Sequence, residues 1–336
     1  MAELVSLDEI RTAADRLRGA VVRTPLVPFT GVARATPSLL IKPESLQPTG
    51  AFKLRGSYNA VFAFTRELNS CALPEGVVAH SSGNHGFAVA YAARLLGLRA
   101  VIVVPRNAPP VKTEAIEAAG AELVRVEPSL AARIAATDEI ARVRGYHPVA
   151  PFDDRDVIAG QGTIGLEIAE DVRPAAVLVP VGGGGLISGI AAAVKALLPG
   201  TRVIGVEPEL AADARDSLRA GRRVAWKAEQ TARTKADALR VEQVGELTFP
   251  HLQAYVDDIV TVGEAEMLAA VRRLARQARL IAEPGGAVAI AAALHRDPGE
   301  LGLTPASAGP VVAVLSGGNI DPALLTEILQ PESYTG

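Results

Sequence analysis

Residues 176–188 read Ala-Val-Leu-Val-Pro-Val-Gly-Gly-Gly-Gly-Leu-Ile-Ser, an apolar run that leads through four glycines into a second apolar segment. The run 176–181 is typical of a buried parallel strand, and 186–197 is predicted to be a helix. Gly182, Gly183, Gly184 and Gly185 have no Cβ atoms, tolerate positive φ, and leave backbone N–H groups at the start of that helix. Such a turn binds phosphate without a basic side chain, so we predict a phosphate site there. The segment is neither a dinucleotide fingerprint nor a Walker loop.

The same alternation of strand and helix continues on both sides of this turn. Further strands are predicted at 77–79, 101–104, 122–126, 203–206 and 311–315, and further helices at 6–18, 87–96, 112–119, 130–143, 163–171, 264–278 and 286–294. Residues 211–248 are predicted to be rich in loops. The fold class is therefore α/β with two open-sheet domains, a large one of residues 1–49 and 148–336 and a small one of residues 50–147. A ligand is expected between them, at the carboxyl ends of the strands.

A lysine between apolar neighbours lies in Pro48-Thr-Gly-Ala-Phe-Lys53-Leu-Arg-Gly56. Thr49 and Gly50 are predicted to form a turn before a helix, and Phe52 and Leu54 flank Lys53. An ammonium group in such surroundings loses hydration, so its pKa falls and the amine becomes available as a nucleophile or base. Taken alone, the segment fits a surface lysine that packs over an apolar face better than it fits a reactive amine.

Two other segments place small polar groups where a strand ends. His80-Ser81-Ser82-Gly83-Asn84-His85-Gly86 precedes a predicted helix, and Leu315-Ser316-Gly317-Gly318-Asn319 follows a predicted strand. The first segment suits a carboxylate or a phenolic oxygen at a helix N-terminus. Its histidines have no acidic or cysteine partners nearby, which argues against a metal site there. In the second segment Ser316 offers a neutral hydroxyl to a ligand nitrogen, although the residues also fit a simple turn.

Carboxylates follow the strand at 203–206, in Gly205-Val-Glu207-Pro-Glu209-Leu-Ala211-Ala-Asp213. Glu207 and Asp213, with a carbonyl such as that of Ala211, form an all-oxygen set that suits Mg²⁺, Mn²⁺ or Ca²⁺. The spacing alone also fits an acidic, solvated loop.

Composition narrows the classes of function. The 336 residues carry a net charge of −3, which gives no reason to expect a nucleic-acid or anionic-membrane partner. The single cysteine, Cys71, excludes an internal disulfide and a thiolate metal cluster. The N-terminus carries acidic residues and lacks the apolar core of a signal peptide, and no apolar run is long enough to cross a bilayer. A cytoplasmic protein without a membrane partner is therefore expected.

Together these segments resemble the fold-type II pyridoxal-phosphate (PLP) enzymes, whose architecture is that of the tryptophan synthase β chain. The likeness rests on Thr-Gly-Ala-Phe-Lys53-Leu-Arg-Gly, Ser-Ser-Gly-Asn-His-Gly, the glycines 182–185, and Leu-Ser316-Gly-Gly-Asn, in the same order. Within that class the chain is most similar to the threonine/serine dehydratase and serine racemase family. One departure is Ala236-Asp237-Ala238, where relatives often have Ala-Asp-Gly, and it leaves the substrate preference open.

The resemblance implies a role for each segment. Lys53 would carry PLP as an imine and act at Cα, the glycines and Leu186 would hold its phosphate, Asn84 its phenolic oxygen and Ser316 its ring nitrogen. Phe52 and Phe152 would pack against the ring. Ser81, Ser82, Gly83, Asn84 and His85 would bind the carboxylate of a small amino acid, and Glu207, Ala211 and Asp213 a divalent cation. The family is usually homodimeric.

Several reactions fit this set of residues. Elimination from L-threonine or L-serine to a 2-oxo acid and ammonia is the leading prediction, because a neutral Ser316 at the ring nitrogen favours prompt loss of the β-hydroxyl. Serine racemase is the alternative, since Ser82 would face Cα opposite Lys53 and return a proton. A hydroxyaspartate ammonia-lyase also fits. An amino-acid or nucleotide sensor on the same fold fits poorly with an intact lysine.

Overall fold

The computed structural model describes residues 3–30, 38–67, 76–108, 110–304 and 307–330, and Cys71 lies outside them. The strands of these residues are Val27–Phe29 (β1), Leu39–Pro43 (β2), Gly76–His80 (β3), Arg99–Pro105 (β4), Glu122–Val126 (β5), His147–Pro148 (β6), Ala176–Pro180 (β7), Arg202–Pro208 (β8), Asp258–Val262 (β9) and Val311–Leu315 (β10). The helices are Leu7–Arg16 (α1), Lys53–Glu67 (α2), Asn84–Leu95 (α3), Pro110–Ala118 (α4), Leu130–Arg144 (α5), Arg155–Asp171 (α6), Gly185–Leu197 (α7), Asp213–Ala220 (α8), Ala228–Thr231 (α9), Thr248–Tyr255 (α10), Glu264–Arg273 (α11), Val288–His295 (α12) and Pro322–Leu329 (α13).

A six-stranded sheet has the strand order β1-β2-β10-β7-β8-β9. Its pairs are parallel apart from β1 with β2. In β10, Ala313 lies opposite Ile41 of β2 and Leu178 of β7. Every residue of β7 and β10 is buried, because helices cover both faces of the sheet. The continuous apolar runs of the sequence are explained by this position.

A four-stranded parallel sheet has the order β5-β4-β3-β6. Its last strand, His147–Pro148, pairs with Val77 and Val78 of β3. This strand lies across the second predicted domain boundary, between residues 147 and 148. The division into residues 1–49 with 148–336 and residues 50–147 itself stays a prediction.

Helix α6 packs directly against α2 and α7. A Cβ on Gly160 would lie 2.7 Å from the carbonyl oxygen of Arg55 and from Cα of Gly56, and one on Gly189 of α7 would overlap the carbonyl oxygen of Ile158. Glycine is therefore required for this close approach of the helices.

Most predicted elements are present, and the differences have physical reasons. Helix α6 begins at Arg155, eight residues before the predicted start at 163, since the Asp154 side chain accepts a hydrogen bond from the N–H of Val157 and caps it. The glycines of its first half, which favour other conformations, concealed it in the sequence. The segment 211–248, predicted to be loop-rich, contains α8 and α9. None of the helices in the described ranges is both long and apolar enough to cross a bilayer.

Candidate active site

Lys53 is the first residue of α2 and follows the turn at Gly50, whose φ is 70°. Its Nζ donates a hydrogen bond to the carbonyl oxygen of Pro151 at 2.6 Å and lies 5.1 Å from the centre of the Phe52 ring. Burial by these neighbours lowers the pKa of Lys53 from 10.5 to about 8. The sequence-based expectation of a desolvated amine is therefore met by the geometry.

The glycine turn connects β7 to α7 as predicted. Gly182 and Gly184 have φ values of 54° and 94°, which side-chain-bearing residues rarely adopt. A Cβ on Gly183 would overlap the ring of Phe152. The first N–H groups of α7 have no acceptor within the helix, so they are available to an anion.

A second layer of contacts holds this turn. The Thr248 hydroxyl donates to the carbonyl oxygen of Gly183 at 2.7 Å, and the N–H of Gly245 donates to the same oxygen at 3.3 Å. The carboxylate of Asp153 accepts from the N–H groups of Glu246, Leu247 and Thr248 at 2.9, 2.8 and 3.2 Å. The start of α10 therefore supports the predicted phosphate turn.

Ser81, Ser82 and Gly83 lie between β3 and α3, and Asn84 and His85 are the first two residues of that helix. The Ser81 hydroxyl accepts a hydrogen bond from the N–H of Gly83 at 3.2 Å. Burial, with the nearby charge of Lys53, lowers the pKa of His85 to about 3, so the imidazole is neutral at physiological pH. Its Nε2 lies 3.0 Å from the carbonyl oxygen of Val149 and its Nδ1 3.4 Å from the Ser57 hydroxyl.

Asn84 is held by two residues from distant parts of the chain. Its Nδ2 donates to Oε1 of Glu283 at 2.6 Å, and its Oδ1 accepts from Nδ2 of Asn319 at 2.8 Å. The N–H of Glu283 donates to the carbonyl oxygen of Gly317, next to Ser316 at the end of β10. These contacts orient the amide that was predicted to meet a phenolic oxygen.

One cavity of about 450 Å³ joins these parts. It is lined by every residue predicted to bind the cofactor or the substrate: Phe52, Lys53, Ser81, Ser82, Gly83, Asn84, His85, Phe152, Gly182, Gly183, Gly184, Gly185, Leu186 and Ser316. The structure therefore brings the separate motifs together, while the role of each residue stays a prediction.

Sequence reasoning missed several residues of the same cavity. They are Glu283, Arg133 and Asp321. Asp237, from the Ala-Asp-Ala segment already singled out for its departure from relatives, lines the cavity as well. Glu283 precedes Pro-Gly-Gly and a strongly apolar segment, which is a signal for a carboxylate at a helix start. Arg133 lies within α5 and nothing in its local pattern distinguishes it.

Glu207, Ala211 and Asp213 lie outside this cavity. Glu207, at the end of β8, and Asp213, at the start of α8, are each 1% exposed. Oxygen atoms of Glu207 accept from the N–H groups of Arg215 at 2.8 Å and Ala214 at 3.3 Å, so this carboxylate also caps α8. Both carboxylate oxygens of Asp213 are buried without a hydrogen-bond partner in the described part of the chain.

The surroundings of Glu207 and Asp213 disfavour two negative charges. Burial raises the pKa of Glu207 well above its ordinary value, and the neighbouring Asp213 raises it further. Burial likewise raises the pKa of Asp213 to about 7. No group of three or more His, Cys, Asp or Glu side chains is placed to hold a metal ion in the described ranges, so any cation here would need carbonyl or water ligands as well.

The contents of the cavity fit PLP. An amine with a lowered pKa suits an aldehyde, the glycine turn suits a phosphate without a counter-ion, and the rings of Phe52 and Phe152 suit an aromatic ring. The fold and the site thus define an open-sheet α/β enzyme of the PLP class.

Comparison with known proteins gives the same result. The model of the family described as pyridoxal-phosphate dependent enzyme matches residues 17–317. The chain belongs to that family.

Relatives that are named by their activities align with nearly the whole chain. L-threonine ammonia-lyase of Thermotoga maritima is 39% identical over 97% of this chain and 78% of its own length. Serine racemase of Oryza sativa subsp. indica is 36% identical over 96% of this chain and 93% of its own. L-threo-3-hydroxyaspartate ammonia-lyase of Saccharomyces cerevisiae is 36% identical over 93% of each chain.

Solved structures of similar proteins have the same fold as this chain. A threonine deaminase from T.th. superposes with a TM-score of 0.85 at 42% identity, covering 94% of this chain and 99% of its own. Maize serine racemase gives a TM-score of 0.88 at 35% identity, covering 97% of both chains. These neighbours confirm the predicted fold class, PLP fold type II.

Proposed function

We propose that the protein is a PLP-dependent ammonia-lyase that converts L-threonine or L-serine to a 2-oxo acid and ammonia. The observation that carries the proposal is the single cavity that holds Lys53, the glycine turn and the Ser81–His85 loop. The similarity to threonine ammonia-lyase and threonine deaminase supports the same reaction.

Each part of the cavity has a task in this reaction. When bound, PLP supplies an electrophilic aldehyde and an aromatic ring that takes up negative charge from Cα. The N–H groups at the start of α3 hold the substrate carboxylate and orient Cα toward Lys53. The lowered pKa of Lys53 keeps part of the amine neutral, so Nζ accepts the Cα proton. The Cβ–O bond then breaks and the β-hydroxyl leaves as water, taking up one proton in balance with the proton that Nζ removed from Cα. Water hydrolyses the released enamine to the 2-oxo acid and ammonia.

Two alternatives are each favoured by one residue of the cavity. Ser82 lines it beside the substrate loop, where a hydroxyl that returned a proton to the opposite face of Cα would give racemisation. Arg133 also lines it and would pair with a second carboxylate, which favours a 3-hydroxyaspartate substrate.

One experiment decides among these reactions. The PLP-loaded enzyme is incubated separately with L-threonine, L-serine and L-threo-3-hydroxyaspartate, and 2-oxo acids and remaining enantiomers are both measured. We expect 2-oxo acid to dominate with threonine or serine. D-Serine accumulating faster than pyruvate would make the protein a racemase, and the absence of all products would favour a sensor.

We further propose that Glu207, Asp213 and the carbonyl of Ala211 hold Mg²⁺, Mn²⁺ or Ca²⁺. The proposal is supported by the two buried, unpartnered oxygens of Asp213 and by the raised pKa values of both carboxyls. A divalent cation would offset the mutual repulsion of the two carboxylates.

A cytoplasmic homodimer remains our proposal for the state of the protein. Leu46 and Ile281 are 47% and 43% exposed. Gly318 lies between Ile281 and Ser45, the residue before Leu46. A Cβ on Gly318 would lie 2.7 Å from the carbonyl oxygen of Ile281 and 3.0 Å from Cβ of Ser45. Apolar side chains exposed close together favour a contact with a second subunit. Light scattering should give twice the monomer mass.

A further inference from the structure

Four charged side chains form a cluster inside the protein, away from solvent. Lys42 and Glu44 come from β2 and the turn that follows it, Arg55 from α2, and Glu167 from α6. Their exposures are 0%, 0%, 1% and 9%. We call these four residues the buried charge cluster. It has two cations and two carboxylates, so its net charge is zero.

Arg55 is the centre of the buried charge cluster. Its Nε and Nη2 donate to the two oxygens of Glu44 at 2.8 and 2.9 Å, and its Nη1 and Nη2 donate to the two oxygens of Glu167 at 2.6 and 3.0 Å. Both contacts are bidentate, the geometry that fixes direction as well as distance. Lys42 completes the cluster with a bond of 2.6 Å from Nζ to Glu167.

Such a cluster is a poor means of stabilising a fold. Removing four charges from water costs free energy that their mutual attraction only partly returns, and apolar side chains of similar volume often do as well. What the cluster offers instead is a defined geometry between the three elements that contribute to it.

The position of Arg55 relates that geometry to the reaction. It lies two residues after Lys53, in the first turn of α2. Its guanidinium joins this turn of α2 to the turn that follows β2 and to the C-terminal half of α6. The other contacts of this turn are weaker, such as the hydrogen bond of 3.2 Å from the N–H of Gly56 to the Gln161 side chain.

We propose that Arg55, through its paired contacts with Glu44, is a positioning residue that sets the direction of the Lys53 side chain in the cavity. Arg55 does not touch the substrate; it acts by holding the first turn of α2. The inference rests on the proposed function, because kcat is measured for the proposed reaction.

The test compares two double variants that each remove one cation and one carboxylate. Arg55→Met/Glu44→Gln removes the connection to α2 and leaves Lys42 paired with Glu167. Lys42→Met/Glu167→Gln leaves Arg55 paired with Glu44. Both clusters stay neutral and both lose the contacts of Arg55 with Glu167, so the variants differ in the pair that remains, Lys42 with Glu167 in the first and Arg55 with Glu44 in the second. Glu170→Gln is the surface control, because Glu170 lies one turn after Glu167 on α6 and pairs with exposed Arg23.

Three quantities are measured on each PLP-loaded protein: kcat, the affinity for PLP, and the visible circular dichroism of the bound cofactor. For Arg55→Met/Glu44→Gln we expect kcat to fall by about 100-fold, as for a displacement of about 1 Å of a reacting group. PLP affinity should change far less, because the glycine turn is untouched, and the dichroism should change. Lys42→Met/Glu167→Gln should lose much less kcat and keep its dichroism, and Glu170→Gln should match the parent.

Equal losses in both double variants, or parent-like kcat and dichroism in Arg55→Met/Glu44→Gln, would overturn the proposal. Where that variant does not fold, Arg55→Lys decides, because it keeps the charge and loses the bidentate geometry. A folded Arg55→Lys with parent kcat and dichroism would also overturn it. A parent that makes no 2-oxo acid would refute the proposed function, whereas the dichroism comparison would still report on Lys53.

Discussion

At the scale of single residues, the reactivity of Lys53 comes from its surroundings. Apolar neighbours were visible in the sequence, and burial does lower the pKa of the amine to about 8. The acceptor of its hydrogen bond, the carbonyl of Pro151, lies 98 residues away and was not visible. A local pattern can therefore show that a lysine loses water, but not what replaces the water.

Ser82 tests the division between elimination and racemisation. Ser82→Ala should abolish any formation of D-serine and spare the elimination of L-serine, because only return of a proton to the opposite face of Cα needs that hydroxyl. The measurement is pyruvate and D-serine from the same reaction mixture.

Ser81→Ala is the comparison for this variant. The Ser81 hydroxyl accepts the N–H of Gly83 and so holds the carboxylate loop, and its loss should lower both reactions. If Ser82→Ala also lowers both equally, Ser82 serves substrate binding and the assignment of faces is wrong.

At the scale of elements, the glycine turn is well determined by sequence, but the reason for its glycines is not. A Cβ on Gly183 would overlap the ring of Phe152, and one on Gly184 would lie 2.8 Å from the Thr248 side chain. These contacts join residues that are far apart along the chain, so the sequence alone did not reveal them.

Gly183→Val should therefore lose PLP by displacing Phe152 and distorting the turn, while the rest of the protein stays folded. Titration of the cofactor by absorbance measures the loss, and far-ultraviolet circular dichroism checks the fold. Gly200→Val is the matched control, since a Cβ at that exposed glycine would meet nothing within 4 Å. If Gly183→Val binds PLP as tightly as the parent does, the glycine turn does not form the phosphate site.

The end of β8 and the start of α8 carry the proposed cation site. Glu207 was predicted as a ligand from its place after a strand, whereas its second task as the cap of α8 could not be predicted because that helix was taken for a loop. The cap and the cation site share one carboxylate, so binding there should also stabilise α8.

Divalent cations should consequently raise the melting temperature of the chelator-treated protein. A cation at 100 times its Kd stabilises a folded protein by about 2.7 kcal/mol, which differential scanning calorimetry resolves. Glu209→Gln, a change at an exposed neighbour, should keep the response. If Glu207→Ala/Asp213→Ala responds to chelator and cation as the parent does, an acidic solvated loop is the correct interpretation.

At the scale of the whole molecule, residues that are far apart along the chain meet in the folded structure. The sequence predicted strands where apolar runs were continuous, as in β7 and β10, and it missed β9, in which Asp258 and Thr261 interrupt the apolar residues. It located the motifs but not the contacts between them. Asn84 and Glu283 are 199 residues apart and 2.6 Å from each other. Such a pair arises only when the two sheets are assembled.

The claim that Lys53 captures PLP in this shared cavity is tested most directly by borohydride reduction. The apoprotein is mixed with PLP at a series of pH values, reduced, digested, and mapped by mass spectrometry. Only the neutral amine adds to an aldehyde, and His85, with a pKa of about 3, stays neutral throughout the range. The initial rate of capture should thus rise with pH and level off above about 8, the pKa of Lys53.

We expect the reduced cofactor on the peptide that contains Lys53, with that pH dependence. At pH 7 a pKa of about 8 leaves roughly a tenth of the amine neutral, against well under one part in a thousand for an ordinary lysine. Lys42, the other buried lysine whose pKa burial lowers, serves as the internal comparison because it is engaged with Glu167. Cofactor mass on Lys42 or on any other lysine, or on none, would contradict the claim.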